Sequence, residues 1–422
     1  MTGTSVKPPR SHRATTAHLQ AVYPFVSEGG LGEAGPLIGR DLLGGPFCFD
    51  PWELYRTGVL TNPNVLVVGQ IGRGKSTFIK TFVWRQIAFG RKAWIVDPKG
   101  EYGPLARAGG SGPLRLAPGG QVRLNPLDLP GPDDAPDVDG TARRGADLVC
   151  SIVASSLGRP LGPAERTAVE LALEAATKRV QRPTLSEVVA ALLDPDADLA
   201  ATVRTVAAGL ASDGRTVALE LRRLVDGDLA GMFDGPTSPG LDLGSAVVAL
   251  DLSAVFASPA LPLFMTCATA SLQAVLAGRR GVKRLVVVDE AWAILRDLAT
   301  ARWLQATFKL SRALGVANLV VVHRLSDLQA VGAEGSAEQR LAEGLLADSE
   351  TRVIFGLAPS EAEVTGRLLG LTATEKDLVA QLPRGVALWK VGDRSFLVEH
   401  AVGSVESALV DTDAAMLDVE LG

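Results

Sequence analysis

Near-continuous apolar runs recur along the chain at Asn64-Val-Leu-Val-Val68, Ala93-Trp-Ile-Val96, Ala246-Val-Val-Ala-Leu-Asp251, Arg284-Leu-Val-Val-Val288, Asn318-Leu-Val-Val-Val322 and Arg352-Val-Ile-Phe355. Runs this short, without polar alternation, predict strands buried on both faces. A helical pattern over Lys75–Phe89 joins the first two, giving a strand–helix–strand unit and hence a parallel sheet. Residues 103–140 are rich in Gly and Pro and read as loops. From 141 to 228 the texture is helical: Leu148, Ile152, Val153 and Leu157 recur at helical spacing, and Pro163 suits the first turn of a helix running to Val180. Thr184-Leu-Ser-Glu187 is a capping box ahead of Val188–Leu193. Ala387–Lys390 and Ser395–Val398, joined by Val391-Gly-Asp-Arg394, predict a closing hairpin.

The predicted fold class is α/β, with a mostly parallel central sheet, an all-helical insertion and a C-terminal β-hairpin. On this reading the chain divides into a flexible basic arm over 1–18, a lead-in of short strands and turns over 19–60, and the first part of the core over 61–140. A helical insertion subdomain over 141–235, the second part of the core over 236–401 and an acidic tail over 402–422 complete it.

Composition narrows the class. The chain has 422 residues, is 47% hydrophobic and 21% charged, and so can bury a sizeable core; wholesale disorder is excluded. Cys48, Cys150 and Cys267 are widely spaced and form no CxxC pair, which argues against a zinc ribbon or a disulfide framework and for a reducing interior. Met1–Gln20 is polar and lacks the apolar stretch of a signal peptide. The most apolar long segment, Ala260–Gly278, carries Pro262, Thr266, Thr269, Ser271 and Gln273 and reads as a buried helix, not a membrane span. A soluble cytoplasmic protein is expected, with peripheral attachment to the membrane through a partner left open. The net charge of −5 first argues against a nucleic-acid binder. Glu406, Asp411, Asp413, Asp418 and Glu420, with no Lys or Arg beside them, account for all of it. The rest of the chain is formally neutral, so the charge excludes nothing about DNA.

Gly69-Gln-Ile-Gly-Arg-Gly74-Lys75-Ser76 fits G-x-x-x-x-G-K-[ST], with a buried strand before it and a helix after it. Gly69, Gln70, Ile71, Gly72, Arg73 and Gly74 form a loop whose N–H groups can wrap the phosphates of ATP. Lys75 is expected to reach the β- and γ-phosphates, the Ser76 hydroxyl to ligate Mg²⁺, and Thr77 to add a contact to the α-phosphate. The strand over Leu285–Val288 runs into Asp289-Glu290. Asp289 is a candidate Mg²⁺ holder, and Glu290 a candidate to polarise the attacking water. A glutamate at that place marks the additional-strand ATPases, which work as rings and need an arginine from a neighbouring subunit. Arg312 is the first candidate, Arg352 the second and Arg367 the third. His323, at the end of the next strand, stands where a polar residue senses the γ-phosphate.

Further segments carry a family resemblance. Asp97-Pro-Lys-Gly-Glu101-Tyr102, Asp289-Glu-Ala-Trp292, Ser311-Arg-Ala-Leu-Gly315 and Arg352-Val-Ile-Phe355 resemble the TraC-like ATPases of conjugative type IV secretion systems, within the HerA/FtsK superfamily. Tyr23-Pro-Phe25, Gly39, Phe49-Asp50-Pro51, Leu124-Asn125-Pro126-Leu127 and Leu369-Gly-Leu371-Thr372 through Glu375 extend the likeness over residues 19–400. The resemblance implies a RecA-like P-loop ATPase core interrupted by a helical subdomain, ATP and Mg²⁺ as cofactors, and a homo-hexamer. It also implies partners in a secretion or conjugation channel at the cytoplasmic face of the membrane. Two departures are His323, where the family usually has Gln, and the short stretch before the P-loop. That stretch implies either a motor whose docking module is a separate protein or another branch of the superfamily. Lys99 and Glu101 read either as residues of a subunit junction or as a local ion pair.

The expected activity is Mg²⁺-dependent ATP hydrolysis by a ring motor that energises conjugative DNA transfer or type IV secretion. A DNA translocase of the coupling-protein or FtsK/HerA type is one alternative. An ATP-binding assembly scaffold that does not hydrolyse is the other.

Overall fold

The computed structural model describes residues 30–128, 138–239, 241–256, 258, 261, 263–268, 272, 281–295, 298–329 and 336–410. The arm over 1–18, Tyr23-Pro-Phe25, most of the apolar segment 260–278 and the acids beyond 410 lie outside them. Among the described residues, strands β1 (Leu37–Asp41), β2 (Pro46–Cys48), β3 (Val65–Val68), β4 (Lys92–Asp97), β5 (Leu114–Arg115), β6 (Val247–Asp251), β7 (Arg284–Val288), β8 (Val316–Val322), β9 (Thr351–Phe355), β10 (Val386–Val391) and β11 (Arg394–His400) form one sheet. Its order is β2-β1-β11-β10-β9-β3-β8-β7-β4-β6-β5. From β9 to β5 all pairs are parallel; β10, β11, β1 and β2 add an antiparallel end.

The apolar runs make these strands because both faces are covered. Alternate residues serve opposite layers: Val65, Val67, Ala93 and Ile95 face a core that holds Phe78, Ile79, Phe82 and Val83 of the helix Lys75–Ala88. Leu66, Val68, Trp94 and Val96 face the other core, which continues without a break into Val149, Val153, Leu173, Val188 and Leu221. Those last side chains belong to the helices Val138–Leu157, Pro163–Arg179, Leu185–Leu193 and Ala207–Val225. The helical stretch therefore shares its core with one face of the sheet. The capping box is formed, with Glu187 accepting from the Thr184 N–H at 2.7 Å. A buried amide pair, Asn318 Nδ2 to Asn64 Oδ1 at 2.8 Å, favours the observed register between β3 and β8, where a one-residue slip would break this bond.

Three segments differ from the sequence expectation. Within 103–140, Gly103–Ala108 is a helix and Leu114–Arg115 pairs with β6, because a short strand needs only a neighbour with an open edge. In the lead-in, Phe49-Asp50-Pro51 starts a helix, Pro51–Arg56; Asp50 accepts from Trp52 N–H at 2.9 Å, and the proline occupies the first turn. The tail does not begin at 402. Glu406 is buried, its carboxylate doubly bonded by Arg85 at 2.7 and 2.6 Å, and Ser407–Val410 is a short helix against Lys75–Ala88.

The hairpin strand β11 ends on His400, which is packed between Phe78 (ring centroids 4.7 Å apart) and Phe355 (5.1 Å) and accepts from Trp389 Nε1 at 3.0 Å. Burial pushes its pKa from 6.5 down to about 3, with Arg85 adding to the fall. The unfolded chain therefore takes up the proton first. This contribution to stability is complete above pH 6.5 and is lost as the pH falls towards 3. Urea midpoints should drop between pH 7 and pH 5, with this group contributing up to ~1.4 kcal/mol per pH unit, and His400→Gln should flatten that slope.

Candidate functional site

Parallel strands send their carboxyl ends to one edge of the sheet, and at that edge the predicted chemistry converges. The phosphate loop leaves β3 at Gly69. A Cβ there would stand 2.5 Å from the Cβ of Phe355, so only glycine lets the loop pass the end of β9. Gln70 N–H donates to the Gly356 carbonyl at 3.1 Å, and Gly385 N–H donates to the Arg73 carbonyl at 2.9 Å, pinning the loop from its flank. Ile71 and Gly72 stand exposed at its tip. Gly74 turns at φ +107° into the helix Lys75–Ala88, whose start no side chain caps. The first N–H groups of that helix are thereby available to an anion. Lys75 Nζ donates to the carbonyls of Gly69 and Gln70, the latter at 3.0 Å. Burial pushes its ammonium down to about 8, Asp289 and Glu290 draw it back up, and Lys99 lowers it. Ser76 and Thr77 follow, half-buried, in the first turn.

Two strands away, β7 ends at Asp289 and Glu290, both buried. Asp289 accepts the Tyr102 hydroxyl at 2.9 Å; burial raises its pKa against that hydrogen bond. Glu290 adopts φ +50° at the mouth of a short helix, Ala291–Ile294. A non-glycine residue there is held by its surroundings. Its Oε2 accepts from Trp292 Nε1 at 2.7 Å, and its Oε1 meets His323 Nε2 at 2.5 Å and Lys99 Nζ. Burial alone would raise the Glu290 pKa; the bonds from His323, Lys99 and Trp292 outweigh it and hold the carboxyl to about 2. His323 follows β8, the strand between β3 and β7, which is why it reaches Glu290.

The Asp97-Pro-Lys-Gly-Glu-Tyr run is a turn wrapped around one carboxylate. Asp97 Oδ1 accepts the N–H groups of Lys99, Gly100 and Glu101 at 3.3, 2.9 and 3.1 Å, and Oδ2 accepts that of Tyr102 at 2.9 Å. Burial raises the Asp97 pKa to about 6 against those bonds. Of the two readings given to Lys99, the local pair with Glu101 is not what forms: its ion pair is with Glu290. Sequence reasoning also assigned nothing to Tyr102 or Trp292, although both lie inside the quoted motifs. Their partners are fixed by strand order, which the spacing does not report.

Arg312 is not brought to this site. It is exposed in the last turn of Leu298–Leu314, just before β8 starts, and so lies at the opposite edge of the sheet from Lys75. Arg352 is half-buried near the start of β9 and donates to the carbonyls of Ser349 at 3.2 Å and Leu369 at 3.0 Å. Arg367 is exposed on the helix Pro359–Leu369. Beside the first turns of the phosphate-loop helix opens a cavity of about 480 Å³, lined by Thr77, Phe78, Thr81, Arg384, His400 and Val402. That volume falls within the range of small-ligand sites. Among the described residues no cluster of three His, Cys, Asp or Glu could hold a metal by itself. Ser76 and Asp289 suit Mg²⁺, which takes one or two protein oxygens and completes its shell with phosphate and water.

The AAA-like domain family matches residues 56–109. No curated protein sequence matches the chain. Among solved structures, VirB4 of Thermoanaerobacter pseudethanolicus is similar at 21% identity and TM-score 0.67, covering 90% of this chain and 100% of that one. The plasmid coupling protein TrwB in complex with ADP and Mg²⁺ is similar at 15% identity and TM-score 0.55, covering 81% and 85%. The same protein with the non-hydrolysable ATP analogue ADPNP gives 16% and 0.54, covering 81% and 86%. The chain thus has the RecA-like P-loop ATPase fold that these proteins share. Because the loop is shaped around Phe355, Gly69→Ala should cost about 1–3 kcal/mol of stability by overpacking. It should also weaken MgATP binding, both readable by thermal melts with and without nucleotide.

Proposed function

We propose that this protein is a Mg²⁺-dependent ATPase of the TraC/VirB4 kind, working as a homo-oligomeric ring motor that energises conjugative DNA transfer or type IV secretion. The observation that carries the reading is the pairing, on one sheet edge, of a phosphate loop with a buried Asp289-Glu290 end whose glutamate touches His323. The likeness to VirB4 over 90% of the chain supports the choice of class. TrwB in complex with ADP and Mg²⁺, and with ADPNP, supports nucleotide and Mg²⁺ as the ligands.

In this reading the loop N–H groups and Lys75 cradle the β- and γ-phosphates, and the 480 Å³ cavity beside Thr77 takes the nucleoside. Ser76 and Asp289 would hold the Mg²⁺, which supplies charge neutralisation on the phosphates. Glu290 orients and polarises the attacking water, and His323 steers the Glu290 carboxylate. A further cation is needed to stabilise the transferring phosphoryl group. Arg312, on the far edge of its own sheet, can serve only the nucleotide of an adjacent subunit. That geometry supports a ring, with a hexamer as the expected form. No helix among the described residues is long and apolar enough to cross a membrane. In this reading, channel components at the inner membrane face are its partners. Residues 138–225 share their core with the sheet, so a change at the strand ends reaches the helical stretch directly.

Lys75→Ala should reduce phosphate release by at least ~100-fold, and Glu290→Gln should retain MgATP binding with turnover slowed by a similar factor. Undiminished turnover in both purified variants overturns the proposal. Assays with single- and double-stranded DNA separate the rival motor: strong DNA stimulation with a steep salt dependence favours a translocase. ATP-dependent oligomerisation without phosphate release favours a scaffold.

A further inference from the structure

Three side-chain donors hold the Glu290 carboxylate. Trp292 Nε1 occupies Oε2, while His323 Nε2 and Lys99 Nζ share Oε1. Three of the roughly four acceptor sites of the ionised carboxylate are thus taken, and the two donors crowded on Oε1 lower its basicity, so release of one of them makes Glu290 a stronger base. The three donors differ in freedom. Trp292 is half-buried and packs edge-on against Phe256 at 6.5 Å, and the His323 side chain is only 20% exposed. The Lys99 side chain is 47% exposed, at the end of a flexible four-carbon stem. Its backbone, by contrast, is fixed by the four N–H groups that Asp97 gathers and by Gly100, which turns at φ +74° against the Asp251 carboxylate.

We propose that Lys99 is a phosphate-responsive latch: it clasps Glu290 in the nucleotide-free cleft and moves to the terminal phosphate of a bound nucleoside triphosphate, releasing the carboxylate to water. This rests on the ATPase reading above. Lys99 and Lys75 already feel one another, and Asp289 and Glu290 act on both, with Glu101 a third carboxylate acting on Lys99. A terminal phosphate carries about two negative charges; Mg²⁺ would offset part of them, and the remaining charged oxygens compete with Oε1 for the Lys99 ammonium. The stem swings, the backbone stays, and Oε1 keeps only His323. A nucleoside diphosphate brings no such charge to that place and leaves the clasp closed. The latch thus ties base activation to the presence of the γ-phosphate.

The test compares MgADP and MgATPγS binding, by displacement of a fluorescent nucleotide, in wild-type protein, Lys99→Met, Lys99→Arg, Glu290→Gln and the double variant Lys99→Met/Glu290→Gln. Thermal melts confirm that each variant is folded. Lys99→Met should lose MgATPγS affinity by about tenfold or more, with MgADP changed less than about twofold. Lys99→Arg should recover part of the preference. Glu290→Gln should gain MgATPγS affinity because Lys99 no longer leaves an ion pair, and the gain should vanish in the double variant. Parallel shifts for both nucleotides in Lys99→Met, or an unchanged ratio, would overturn the latch and leave the ATPase reading standing. Wild-type protein that binds neither nucleotide would overturn both.

Discussion

Parallel pairing of β3, β8, β7 and β4 in aligned register is the constraint on which the rest depends. Val68 sits opposite Val322, Val288 opposite Val320, and Val96 opposite Val288, so all four strands finish at one edge. A parallel strand cannot be followed by a tight return, so each end must open into a loop or helix, and those loops hold the phosphate loop, His323, Asp289-Glu290 and the Asp97 turn. The buried Asn64–Asn318 amide pair guards the register at the other end of β3. A slip there would exchange the side chains of the two cores and move His323 away from Glu290.

The same edge concentrates buried charge. Lys75, Asp97, Asp289 and Glu290 are almost wholly withdrawn from water, and each is compensated by named bonds. Compensation is unequal. Asp97 is satisfied by its own turn, so it fixes backbone. Glu290 is satisfied by three side chains from β4, β7 and β8 regions, so its state depends on several elements at once. Breaking one partner of such a network leaves the others buried and under-bonded, which makes rearrangement between discrete arrangements the cheaper response.

Much of the architecture was legible in the sequence. Mostly apolar runs of four to six residues placed the parallel strands, because burial on both faces leaves little room for polar residues. The Gly-rich loop before Lys75-Ser76 was legible because its glycines answer a backbone requirement, seen here as the approach of Gly69 to Phe355. The helix at Pro51–Arg56 carried its signal in Asp50-Pro51, which a reading of turns passed over. Glu406 looked like part of a solvated acidic end; its partner, Arg85, is far away in sequence, and no local pattern reports such a pair.

Taken by itself, the chain determined which residues form strands, where phosphates can be wrapped and which acidic pair ends a strand, since all of these are local: periodicity, glycine conformational freedom and nearest-neighbour chemistry. Only the tertiary structure decided that Lys99 forms its ion pair with Glu290, that Tyr102 holds Asp289, and that Arg312 lies on the wrong edge for its own site. Strand order sets those relations. It arises from how two faces of one sheet are covered, a global packing requirement that leaves no trace in the spacing of the residues it brings together.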